Sequence, residues 1–185
     1  MNKAKFAAFL AIFLSLGLVV SGPAAATPSP SSSVTPGLVA TDISDFRATN
    51  GALMNSYIET YGSRFTAQEK LTFTQAKAKA DLSLRALQRA TSKIDRLSKS
   101  GASTTRLYNA SLAAQRSYSL AYAEAEATQQ TLDPILRNRL SLFEALGAYR
   151  DYSQALAEFT EIGDQINEIA DRYTQPSNSR KASRV

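Results

Sequence analysis

The sequence predicts an all-α protein, an antiparallel up-and-down bundle of three to four helices with long second and last helices. Three observations lead there. Apolar residues recur at intervals of three and four across residues 41–175, the spacing that gathers them on one face of a helix. Alternating apolar and polar runs, the mark of a half-buried strand, are almost absent. Helix-capping residues and glycines punctuate the periodic stretches where short turns between antiparallel neighbours belong.

Residues 1–26 stand apart from that pattern and read as a signal peptide. Lys3 and Lys5 precede an apolar run from Phe6 to Val20, then Ser21, Gly22 and Pro23 break the helix. Ala24 and Ala26 place small residues where cleavage after Ala26 requires them. An apolar run of about 15 positions is also short for a bilayer core that needs roughly 20. Residues 27–40, led by TPSPSSSVTPG, read as a Pro/Ser-rich linker, extended and without apolar period. Residues 176–185 read as a disordered basic tail.

The first helix is expected to start at Thr41, an N-cap with Asp42 and Asp45 in its first turn. Ile43, Phe46, Leu53, Tyr57 and Tyr61 keep phase across Asn50–Gly51, and Gly62 is expected to stop the helix by adopting positive φ. The second helix opens on a capping box, Thr66 with Glu69. Phe73, Ala76, Ala80, Leu84, Leu87, Ala90, Ile94 and Leu97 then repeat over about 33 residues, roughly 50 Å of helix, which Gly101 ends. Ser103 or Thr104 caps the third helix. Its seam (Leu107, Ser111, Ala114, Tyr118, Ala121, Ala125, Thr128, Leu132) alternates steps of four and three, as in a left-handed coiled coil. Most of these residues are small, so a neighbouring helix is expected to approach closely.

Asp133–Pro134 reads as a turn rather than a kink, because Asp caps well and Pro suits the first helical position. A fourth helix then carries Leu136, Leu140, Phe143, Leu146, Tyr149, Tyr152, Leu156, Phe159, Ile162, Ile166, Ile169 and Tyr173, with Gly147 and Gly163 as points where it could bend.

Composition excludes more than it suggests. Removing the signal leaves 159 of 185 residues, one domain with enough chain for a core. The net charge of +5 and pI of about 9.5 come from the signal and the tail, because residues 41–175 hold sixteen Lys and Arg against sixteen Asp and Glu. Nucleic acid is therefore not an expected partner. The chain has no Cys and no His. Disulfides, thiolate metal sites, a Ser-His-Asp triad and His-ligated metal centres are excluded. A lipid-bearing Cys after the cleavage site is missing as well, so no stable membrane anchor is expected after cleavage. No cofactor or metal is expected.

The charge is unevenly placed. From Arg64 to Arg106 ten Lys and Arg face three acids, and from Leu107 to Tyr173 five Arg face ten acids. Arg85, Arg89, Lys93 and Arg96 stack at helical spacing as a basic stripe. Such a stripe either docks an anionic partner or pairs with acidic helices of its own bundle and sets which helices are neighbours. The tyrosine pairs Tyr57/Tyr61, Tyr118/Tyr122 and Tyr149/Tyr152 could stack on sugars or line the core boundary. The closest carboxylates are Glu124/Glu126, Glu158/Glu161 and Asp164/Glu168. They would be the only route to hydrolysis, which needs two carboxylates across a cleft; a solvated helix face is the plainer reading.

The functional expectation is a secreted, periplasmic or cell-envelope bundle that is not an enzyme and binds a protein or an anionic envelope polymer. A self-associating structural protein (a homo-oligomer) and a carboxylate-based hydrolase of cell-wall polymers are the alternatives.

Overall fold

The computed structural model describes residues 34–174. The signal segment, residues 27–33 of the linker and the tail lie outside the described residues. The described chain forms four long helices, α1 (Pro36–Tyr61), α2 (Ala67–Lys99), α3 (Thr104–Arg139) and α4 (Leu142–Thr174), with a 3-10 turn at Gly62–Arg64. Each helix packs on its neighbours in the chain, and α1 also packs on α4. In cross-section they close a ring in which α2 and α4 lie on one diagonal. The Tyr57 hydroxyl donates to the Asp151 carboxylate at 2.8 Å, and Arg172 donates to the Val34 carbonyl at 2.6 Å. These bonds tie late α1 to early α4 and late α4 to the start of α1, as antiparallel packing requires. The fold is an all-α helical bundle.

α1 begins at Pro36, five residues before the expected Thr41. Thr35 is the N-cap, its hydroxyl accepting from the Leu38 N–H at 3.3 Å, with Pro36 at the first helical position, where its missing N–H costs nothing. Thr41 lies in the second turn, and its hydroxyl donates back to the Gly37 carbonyl. Tertiary packing explains the added turn. Val39 is fully buried, and Val34 packs against the main core cluster, so the stretch read as the end of the linker belongs to the bundle. At the other end Gly62 has φ −62° and continues into the 3-10 turn, without the positive φ expected of it. Gly101, after α2, does take positive φ, +68°.

The capping box of α2 forms as expected. The Glu69 N–H donates to the Thr66 hydroxyl at 3.2 Å, and the Thr66 N–H donates to the Glu69 carboxylate at 2.7 Å. The turn expected at Asp133–Pro134 does not form. α3 runs through Pro134 to Arg139, and the chain reverses at Leu140–Ser141. Two features carry the helix across the proline. Leu132 on one side and Ile135 and Leu136 on the other pack into the same cluster as Met54, Phe65 and Phe73. Asp133 and Arg137 span the interrupted turn as an i, i+4 ion pair at 2.7 Å. Pro134 and Gln130 are both exposed, so water can serve the carbonyl that loses its partner.

α4 starts instead at a second reciprocal cap. The Ser141 N–H donates to the Glu144 carboxylate at 2.7 Å, and the Glu144 N–H donates to the Ser141 hydroxyl at 3.4 Å. The later start leaves Phe143 84% exposed and turns Ala145 and Ala148 inward in place of the expected Phe143 and Leu146.

The interior of the described residues falls into one larger cluster and two smaller ones. The larger holds Val39, Ile43, Leu84, Leu87, Ile94, Ala114, Phe159, Ile166 and Ile169. A second, nearer the α1–α2 and α3–α4 turns, holds Met54, Phe65, Phe73 and Leu132, and a third, at the start of α4, holds Leu140, Ala145 and Ala148. Phe159 joins the helices of the larger part, with ring centroids 5.1 Å from Phe46 and 5.0 Å from Tyr118. The tyrosine pair Tyr118/Tyr122 therefore packs at the core.

Candidate functional site

The inward residues of α2 (Phe73, Ala76, Ala80, Leu84, Leu87, Thr91, Ile94) are all buried. At 100° per residue, that face leaves Arg85, Arg89, Lys93 and Arg96 on the opposite side within an arc of about 80° and a length of about 16 Å. All four are exposed. Arg85 contacts Asp81 in its own helix at 2.7 Å, and Asp81 also accepts Arg47 of α1 at 3.2 Å. Arg89, Lys93 and Arg96 have no carboxylate partner among the described residues.

The ion pairs that join different parts of the bundle lie elsewhere. Besides Arg47–Asp81 they are Arg64–Glu144 at 2.8 Å and Arg139–Glu69 at 3.0 Å. Apart from Arg85, which shares Asp81 with Arg47 of α1, the stripe has no part in these ion pairs between helices. The reason is geometric: the carboxylates numerous enough to neutralise it are on α4, across the diagonal from α2. There Glu161, Asp164, Glu168 and Asp171 are exposed along one face, and Glu168 pairs with Arg172. The body is neutral overall yet has a basic side and an acidic side.

The two ion pairs near the α3–α4 turn are also helix caps. Glu144 is pulled down from 4.5 to about 2, first by the hydrogen bond from Arg64 and then by the Ser141 N–H. Glu69 shifts the same way, first through the Thr66 N–H. Of the carboxylate pairs considered for hydrolysis, Glu158, Glu161, Asp164 and Glu168 of α4 are exposed, and on α3 Glu126 is exposed and Glu124 half-buried. Among the described residues no group of three or more Asp or Glu could hold a metal ion, and no helix is long and apolar enough to cross a membrane.

A second feature was not anticipated. Where the three clusters of the core meet lies a partly open cavity of about 120 Å³ to which all four helices contribute. Ala80 and Ser83 of α2, Ala121 and Ala125 of α3, and Ala148 and Ala155 of α4 meet around it. The small residues of the α3 seam therefore act in two ways. Ser111 and Ala114 are fully buried in close packing, whereas Ala121 and Ala125 leave a void. The sequence signal was the coincidence of small inward residues on three helices at one level of the bundle. Comparison of the chain with protein families, curated proteins and solved structures gives no match.

Proposed function

We propose that the protein is an exported, non-catalytic helical module that binds an anionic polymer of the cell envelope through the outer face of α2. The observation that carries this reading is the stripe itself, with Arg89, Lys93 and Arg96 exposed and lacking carboxylate partners among the described residues. Arginine suits the role because its planar fork meets phosphate or carboxylate groups in a bidentate manner. Four cations at successive turns present a regular row to a chain of repeating anions. The amino-terminal segment supplies the export, and the linker supplies reach between the bundle and what it meets.

Binding of the purified protein to linear polyphosphate tests the reading. The wild type is expected to bind with an affinity that falls steeply as salt rises. The variant carrying Arg85→Gln, Arg89→Gln, Lys93→Gln and Arg96→Gln should lose binding while melting as the wild type does. Equal binding by the two proteins would overturn the proposal.

The acidic face of α4 favours a second reading, self-association. Both faces lie in the half of the bundle that holds Val34 and Thr174. A copy translated sideways would set its acidic α4 face against the basic α2 face of the next. Contacts of this head-to-tail kind build open rows rather than closed rings. Sedimentation at low salt should then show species larger than a monomer that dissociate as salt is raised; a monomer at high concentration and low salt removes this reading.

A further inference from the structure

We propose that the groove between α1 and α2 binds a single phosphate monoester, the end group of the anionic polymer. The identity of that group rests on the polymer reading; the groove itself does not. The groove is partly open, has a volume of about 360 Å³, and is lined by Arg47, Asn50 and Gly51 of α1 and by Lys77, Asp81 and Arg85 of α2. Its lining sets three cations against one carboxylate, a net of +2. Arg85 is also the first residue of the stripe, so a chain lying along α2 leads into the groove. Pockets of this size hold a small ligand, here a phosphate and the unit that bears it.

The cations are held in place before any ligand arrives. Asp81 pairs with Arg47 at 3.2 Å and with Arg85 at 2.7 Å, and Arg47 also donates to the Gln88 side chain at 2.8 Å. A guanidinium has more N–H donors than these contacts use, and groups already fixed lose little entropy on binding. Lys77 is half-buried. Its ammonium donates to the Asn55 side-chain oxygen at 2.6 Å and has no carboxylate partner among the described residues. A partly buried charge without a counter-ion is costly, and an anion in the groove supplies one. Gly51 makes the space. It interrupts α1 one turn after Arg47, where an added Cβ would lie 4.0 Å from the Lys77 Cε. A glycine inside a helix costs stability relative to alanine, and here it leaves the α1 wall without a side chain. Charge then selects the ligand. A phosphate monoester carries about −1.5 to −2 at pH 7 and matches the groove, whereas a carboxylate or a phosphodiester within the chain brings a single charge.

Methyl phosphate and dimethyl phosphate titrated into the purified protein at low salt, followed by amide resonances, are the test. Methyl phosphate at millimolar concentration is expected to shift the amides of Gly51, Lys77 and Ala78, and dimethyl phosphate to bind about tenfold more weakly for its missing charge. Gly51→Leu has room for its Cβ and fills the groove, so it should abolish the shifts while the melt stays cooperative. Arg47→Gln combined with Lys77→Gln should abolish them too. The variant carrying Arg89→Gln, Lys93→Gln and Arg96→Gln should bind methyl phosphate as the wild type does while losing affinity for linear polyphosphate. Methyl phosphate binding by a wild type that ignores polyphosphate would keep the groove as a site for a small phosphate monoester and remove the polymer. Absence of shifts in the wild type, unchanged binding by Gly51→Leu, or equal binding of the two phosphates would overturn the groove even where polyphosphate binds.

Discussion

Two glycines of α4 should respond in opposite directions to the same substitution. Gly147 and Gly163 both lie inside the helix, where alanine in place of glycine is worth about 1 kcal/mol from backbone entropy alone. A Cβ added at Gly147 meets nothing within 4 Å. Gly147→Ala should therefore deliver that gain nearly whole, raising the melting temperature by about 3 °C for a domain of this size. At Gly163 the added carbon would lie 2.2 Å from Cζ, 2.4 Å from the hydroxyl oxygen and 2.7 Å from Cε1 of Tyr118. Carbon atoms rest at about 3.5–4.0 Å, so the ring must withdraw by roughly 1.3 Å or more.

The ring has little room to do so. It sits 5.0 Å from the Phe159 ring and 6.1 Å from that of Tyr122, centroid to centroid. Overpacking a filled site costs about 1–3 kcal/mol, and losing the Tyr118–Phe159 contact adds about 0.5–1.5 kcal/mol. Together they exceed the entropy gain, so Gly163→Ala should be destabilised by about 1–2 kcal/mol. Denaturant melts of both variants, with m unchanged, provide the assay. In a Tyr118→Ala background the penalty should disappear and Gly163→Ala should become stabilising. If Gly163→Ala were as stable as Gly147→Ala with Tyr118 present, the close packing of α3 on α4 described here would be wrong.

Three further outcomes are expected. Pro134→Ala restores the missing donor at an exposed helical position and should stabilise the protein by up to about 3 kcal/mol in denaturant melts; a loss of stability would mean the proline shapes the turn after all. Tyr152→Phe removes a buried hydroxyl with no partner and should raise stability by roughly 1 kcal/mol, whereas a decrease would show that the hydroxyl is satisfied in solution. Acid titration should expose the caps. Glu144 and Glu69 are both depressed in the folded protein, so the unfolded chain binds more protons at low pH and stability falls with pH. For Glu144 that loss begins near 4.5, its ordinary value, and is complete near 2. Arg64→Gln removes the largest cause of its shift, so the acid loss should shrink, and an unchanged acid profile would contradict the pairing.

The bundle, the inward faces of its helices except at the start of α4, and the basic stripe were legible from residue spacing, because burial of an apolar face is what sets helix phase. The boundaries were less so, and two prolines show why. Thr35–Pro36 and Asp133–Pro134 carry the same local signal, a capping side chain before proline. Only the first opens a helix. At Pro134 apolar residues continue in phase on both sides and pack on the same cluster, and tertiary burial outweighs the local cost of proline. The true turn did leave a trace in the sequence, since Ser141 and Glu144 have the spacing of a capping box. The cavity was not legible in the same sense. An alanine on a seam permits either close approach or a void, and the outcome depends on whether the facing helix presents a side chain at that level. Ala114 meets one. Ala125 meets Ala80, Ala148 and Ala155 around an unfilled space.

Site-specific photo-crosslinking in exporting cells asks whether the outer face of α2 meets an anionic polymer. A crosslinker at Lys93 on the basic face and another at Asp164 on the acidic face would compare the two sides of one molecule in its own envelope. Adducts of an anionic polymer are expected from position 93, lost when Arg85, Arg89 and Arg96 are changed to Gln, and none from position 164. Equal polymer adducts from both positions, or none from position 93, would rule out α2 as the polymer-binding face.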